Sequence, residues 1–108
     1  MSFQHQDLAK GRWFEFSLVE QLANIGSEIN RVIKAKNYQN RYEAAILRAL
    51  ELFELTISDE RWKNRNKEIL RVREIFLDIV YGQNQYETTL EDLDKYFFYF
   101  ALAKKLKS

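Results

Sequence analysis

A chain of 108 residues, 46% hydrophobic and 31% charged, has the make-up of one globular domain large enough to fold without staples. No cysteine and a single histidine, His5, leave no disulfide framework, no thiolate metal site and no set of histidines for zinc or a catalytic triad. Seventeen basic against sixteen acidic side chains give a formal charge of +1, so no global field draws the chain to nucleic acid or membrane.

Proline is absent and there are three glycines, Gly11, Gly26 and Gly82, a shortage of breakers that favours long helices. Residues 1–12 are polar and read as a loose arm, with Phe3 and Leu8 as weak anchors. They lack the apolar core of a signal peptide, and no apolar run reaches the length of a membrane span. A cytoplasmic protein is expected.

Trp13, Phe14 and Phe16 come next, placed to cover one end of a bundle. Ser17 and Glu20 form a capping-box signature. Behind it Leu18, Leu22, Ile25, Ile29 and Val32 step by four and three, one stripe on a helix from Leu18 to about Lys36. Gly26, in mid-helix, predicts a close approach by a neighbouring helix. A break at Asn37–Asn40 leads to a second helix ending near Ile57, where Ala44, Ala45 and Ala49 offer a tight surface, expected opposite Gly26.

Ser58 or Asp59 caps a third helix, expected over about Glu60–Tyr81 with Ile69, Val72, Phe76 and Ile79 or Val80 inward and Gly82 as its stop. After a polar loop, Thr88 with Glu91 or Thr89 with Asp92 opens a fourth helix, Leu90 to about Leu106. Leu93, Phe97, Phe100 and the stem of Lys104 are its expected inner side. Short links between similar helices predict an all-α, antiparallel four-helix bundle of up-down-up-down topology, with residues 13–108 as one domain.

No glycine-rich phosphate loop, His-Glu-x-x-His run or serine elbow is present. Glu20, Glu28, Glu51, Glu74 and Asp78 could converge for acid–base work or a hard cation, but arginines at similar spacing make structural ion pairs the simpler account. No metal or cofactor is expected. Two stretches stand out. Arg61, Trp62, Lys63, Arg65 and Lys67 interleave cations with a stacking ring, a pattern suited to RNA or DNA, or else a solvated helix face. Tyr96-Phe97-Phe98-Tyr99-Phe100 sends rings all round a helix, more than one buried stripe absorbs. The surplus needs a second contact: the Trp13/Phe14 cluster, a symmetric subunit or another protein. The ladder Asn24/Glu28/Arg31 and the cluster Arg71/Arg73/Glu74 are polar surface candidates.

The segments Ser17-Leu18 with Glu20–Glu28 (EQLANIGSE), Arg48–Leu52 with Leu55–Ile57, Leu70–Glu74 and Lys95–Phe97 resemble a family of short prokaryotic helical-bundle proteins of uncharacterised function. By architecture such chains are similar to HEPN-type bundles, some of which pair with minimal nucleotidyltransferases in toxin–antitoxin-like modules. HEPN ribonucleases carry a histidine shortly after a late-helix arginine. None follows Arg71 or Arg73 here, so the resemblance implies a non-catalytic, partner-binding bundle. The reading is an interaction module, homodimeric through the aromatics of the fourth helix, with Tyr96, Phe98, Tyr99, Trp13 and Phe14 as interface candidates, and binding a protein such as a nucleotidyltransferase. Nucleic-acid binding through the third helix is the alternative.

Overall fold

A computed structural model of the chain describes residues 11–107, so residues 1–10 of the expected arm, with Phe3, His5 and Leu8, lie outside the described residues, while Arg12 opens a 3₁₀ helix. Within them there is no strand, and four helices pack together. They are α1 (Leu18–Lys34), α2 (Gln39–Ile57), α3 (Asn66–Val80) and α4 (Leu90–Lys107), with short 3₁₀ helices at Arg12–Glu15 and Glu60–Arg65.

The start of α1 is written as expected. The Ser17 hydroxyl accepts from the Glu20 N–H at 3.2 Å, and the Glu20 carboxylate accepts from the Ser17 N–H at 3.0 Å. Two orphan donors are thereby satisfied reciprocally, a contribution of about 1 kcal/mol. The helix ends at Lys34, two residues before its expected stop, because residues 35–37 tighten into turns. At the other end of the chain Thr89 and Asp92 make the same reciprocal box, at 3.0 and 3.1 Å, so Thr89 and not Thr88 opens α4.

α1 is the pillar of the fold, with its broadest contacts to α4 on one side and α2 on the other. Its stripe joins Ala45, Ile46, Ala49, Leu52 and Phe53 of α2, Ile69, Val72 and Phe76 of α3, and Leu90, Leu93 and Phe97 of α4 in one core. Phe53 sits at its centre, with ring centroids 5.8 Å from Phe76 and 6.1 Å from Phe97. α3 leans on α2 and touches α4 only lightly.

Gly26 marks a close approach, but its partner is α4, not the alanines of α2. A methyl group at position 26 would lie 2.6 Å from Phe97 Cβ. α1 can lie that near to α4 only where one helix has no side chain. Gly82 is constrained differently, by the end of its own helix. Its φ is not in the left-handed region, and a Cβ there would meet Asp78 backbone atoms at 2.9 Å. The left-handed turns fall instead on Asn84 and Glu87, at φ 56° and 52°.

α3 begins six residues later than expected, at Asn66 and not Glu60. Glu60–Arg65 is 3₁₀, with Trp62 outside helical geometry at φ −105°, ψ 15°. Side chains explain the departure: the Arg61 guanidinium reaches back to the Phe16 carbonyl, and the Trp62 indole reaches across to Gln21. An α-helical path from Glu60 would swing both away. Lys104, expected to lay its stem inward, is exposed.

Candidate functional site

Three places hold the residues singled out by sequence. The first is the end of the bundle where the N-terminal 3₁₀ helix, α1 and the α2–α3 link meet. Trp13 is fully buried, and its indole N–H donates to Thr56 Oγ1 at 3.1 Å. Gln21, also fully buried, donates from Nε2 to the Trp13 carbonyl at 3.0 Å and to Asp59 Oδ2 at 2.9 Å, and its Oε1 accepts from the Trp62 indole N–H at 2.9 Å. Both amide protons and the amide oxygen are used, so the cost of burying this group is offset by its bonds.

Asp59 is equally committed. Its Oδ1 accepts from the Arg61 N–H and Nε, both at 3.0 Å, and its Oδ2 from Arg61 Nη2 at 2.7 Å. The Arg61 hydrogen bonds hold the carboxyl below its ordinary value against the opposing effect of burial, with Gln21 adding to the depression. Arg61 also donates to the Phe16 carbonyl and lies over the Trp62 ring, 4.4 Å from its centroid. Trp13, one of the interface candidates, is therefore core. Arg61 and Trp62, the centre of the nucleic-acid pattern, are engaged with each other and with the bundle end.

The rest of that pattern divides. Lys63, Arg65 and Lys67 are exposed, and Arg65 and Lys67 stand at the mouth of a hollow of about 420 Å³ where α3 and α4 separate. Its floor is Leu22, Phe53, Ile69, Val72 and Phe97. Tyr96 closes one side and donates to Glu68 at 2.7 Å, and burial followed by that carboxylate raises its phenol well above the ordinary value.

The second place is the flank where α1 meets α2. Glu28 is buried at 4% exposure, and its two oxygens take Arg31 at 2.9 Å and Arg48 at 3.4 Å. Asn24 bonds back to the Glu20 carbonyl and takes no part. Arg73 lies 2.6 Å from Glu54 without an aligned N–H, and Glu74 accepts from Tyr86 at 3.3 Å, while Arg71 is exposed. The polar candidates thus form separate ties, not one surface. Asp78 accepts the backbone N–H groups of Gln85 and Tyr86 and so shapes the loop before α4. Among the described residues no three carboxylates or histidines gather in a manner able to hold a metal ion.

The third place is α4. Its apolar residues are not segregated onto one face. Leu90, Leu93 and Phe97 are buried, and Tyr96 and Phe100 are half-buried. Phe98 is 60% exposed, Tyr99 68%, Leu102 42% and Leu106 77%. The Trp13/Phe14 cluster does not cover these outer rings: Trp13 stacks edge-on against Phe16, Phe14 is half-buried at the core's edge, and Phe98 pairs with its neighbour Tyr99.

Sequence reasoning missed the part played by Gln21 and took Asp59 for a simple cap. A signal was present. Gln21 and Glu28 fall seven residues apart beside the apolar stripe of α1, at positions facing inward, and buried polar groups require partners. No family model, curated protein or solved structure matches this chain.

Proposed function

We propose that this protein is a non-catalytic interaction module that forms a homodimer through the outer face of α4. The observation carrying the reading is a helix apolar on two sides: one side is buried in the core, and the other shows Phe98, Leu102 and Leu106 to solvent. A helix with apolar residues on two sides can pack against partners on both, and the outer side of α4 is exposed. The three outer residues recur every fourth position, which makes a ridge along the helix.

That ridge is self-complementary. A two-fold axis passing at Leu102 sets Phe98 of one copy against Leu106 of the other and Leu102 against itself, as an isologous contact requires. Tyr99, at the ridge's edge, offers an apolar ring with a polar tip, suited to a rim that stays partly wet.

The inner scaffold in this reading is an antiparallel up-down-up-down bundle. Ties between helix ends support it: Lys36 after α1 reaches Glu91 at the start of α4, Gln21 early in α1 reaches Asp59 after α2, and Tyr81 after α3 reaches Glu43 early in α2. The module works in the cytoplasm. No helix among the described residues is long and apolar enough to cross a membrane. The HEPN-type resemblance adds a nucleotidyltransferase as the kind of protein such a dimer would hold.

The test is Leu102→Glu, which brings two carboxylates together at the axis. Expected are a light-scattering mass twice that of the chain for the native protein and the single-chain mass for the variant, with unchanged helical circular dichroism. A native monomer, or an unchanged dimer in the variant, overturns the reading.

A further inference from the structure

The chain's formal charge is close to zero, yet its cations are not evenly matched. Arg61 is held by Asp59, Lys36 by Glu91 and Arg73 by Glu54. Four others collect where the end of α1 faces the beginning of α2. Arg31, Lys34, Arg41 and Arg48 line a groove of about 420 Å³ whose floor is Ala35, Ala44 and Ala45. Among the described residues Glu28, buried beneath it, pairs with Arg31 and Arg48, and the four cations outnumber that carboxylate.

Glu28 does more than offset one charge. It accepts from Arg31 Nη1 on one oxygen and Arg48 Nε on the other, which orients both guanidiniums at the groove they line. Lys34 and Arg41 have no carboxylate partner among the described residues. Arg41 rests on the Tyr38 ring instead, 5.1 Å from its centroid. No acidic residue lies in the first turn of α2, and Glu43 is drawn aside by Gln39 and Tyr81. Gathering like charges without counterions costs free energy, a cost relieved when an anion binds.

We propose that this groove binds a small, multiply charged phosphate anion. Planar guanidiniums match phosphate oxygens in forked pairs, and two here are already oriented by a buried carboxylate. The volume lies within the range of small-ligand sites. Tyr38, 57% exposed at the rim and already a platform for Arg41, is placed beside any ring attached to the phosphates. A free oligophosphate and the phosphate tail of a nucleotide share this chemistry. The site lies on the flank of α1 and α2, so it stands or falls independently of the α4 dimer.

The experiment is calorimetric titration of the full chain with inorganic tripolyphosphate and, separately, with ATP. The variants are Lys34→Ala/Arg41→Ala and, as a charge-matched control, Lys63→Ala/Lys67→Ala. All four lysines and arginines are exposed, so both variants are expected to keep the native helical signal. Expected is saturable binding that weakens with added salt, falls at least tenfold in the groove variant and stays within twofold in the control. Equal affinity for the two probes assigns the site to phosphate alone, and tighter ATP binding assigns it to a nucleotide seated on Tyr38. No binding of either probe, an equal loss in the control, or full displacement by a tetraglutamate peptide overturns the proposal.

Discussion

Gly26→Ala is a substitution whose sign separates two ways of thinking about this fold. Judged as a residue in a helix, alanine at position 26 stabilises by about 1 kcal/mol. Judged in its packing, the new methyl lies 2.6 Å from Phe97 Cβ. That atom is the root of its side chain, so no rotamer change moves it, and α1 and α4 must part along their broad contact. Overpacking of this kind costs about 2–3 kcal/mol when the backbone has to shift.

The net expectation is a loss of about 1–2 kcal/mol, or a fall in Tm of roughly 5–15 °C for a domain of this size. Urea unfolding followed by circular dichroism measures it. Ser27→Ala is the control, one residue along and exposed, where alanine adds no atom and is expected to be neutral or to gain about 0.5 kcal/mol. A Gly26→Ala variant as stable as the native protein, or more so, would refute the close α1–α4 approach.

Gln21→Glu keeps size and shape but sets an acceptor against the Trp13 carbonyl and the Asp59 carboxylate, and it is expected to cost more than about 3 kcal/mol by thermal unfolding. A loss comparable to that of an exposed charge would show the bundle end to be looser than described. Asp59 supplies a pH test. Its folded carboxyl titrates below the ordinary 3.8, so its contribution is present above that value and fades as pH falls through the depressed one. Asp59→Asn is expected to cost about 1–3 kcal/mol at pH 7, with the gap to the native protein narrowing below pH 3.8; a gap constant with pH contradicts the Arg61–Asp59 account. Glu28→Gln leaves Arg31 and Arg48 without a charged acceptor and is expected to lower stability by about 1–3 kcal/mol, less in high salt than in low. Salt independence would argue against an ionic tie.

What was legible in the sequence was what depends on near neighbours. The Ser17/Glu20 box spans three residues, and the stripe from Leu18 to Val32 is a periodicity of one helix, so both could be read without knowing a neighbour. Gly26 was recognisable as a contact, but which helix it meets depends on the packing order of the whole chain, and its partner Phe97 lies far along the sequence in α4. The delayed start of α3 follows from bonds linking Arg61 to Phe16 and Trp62 to Gln21, separations of 45 and 41 residues that no local pattern reports. For the same reason, Arg61 and Trp62 looked available as a nucleic-acid surface when they are ties at the bundle end. The aromatic run in α4 was correctly expected to exceed one buried face. Which rings face out was not fixed until Phe97 was placed against Gly26.

Sedimentation equilibrium of the purified protein, at low and high salt over a range of concentrations, bears most directly on the central claim that the outer ridge of α4 joins two copies. Apolar contact through Phe98, Leu102 and Leu106 predicts a dimer that persists or tightens as salt rises. A monomer at every concentration, or a dimer that salt dissolves, would contradict it.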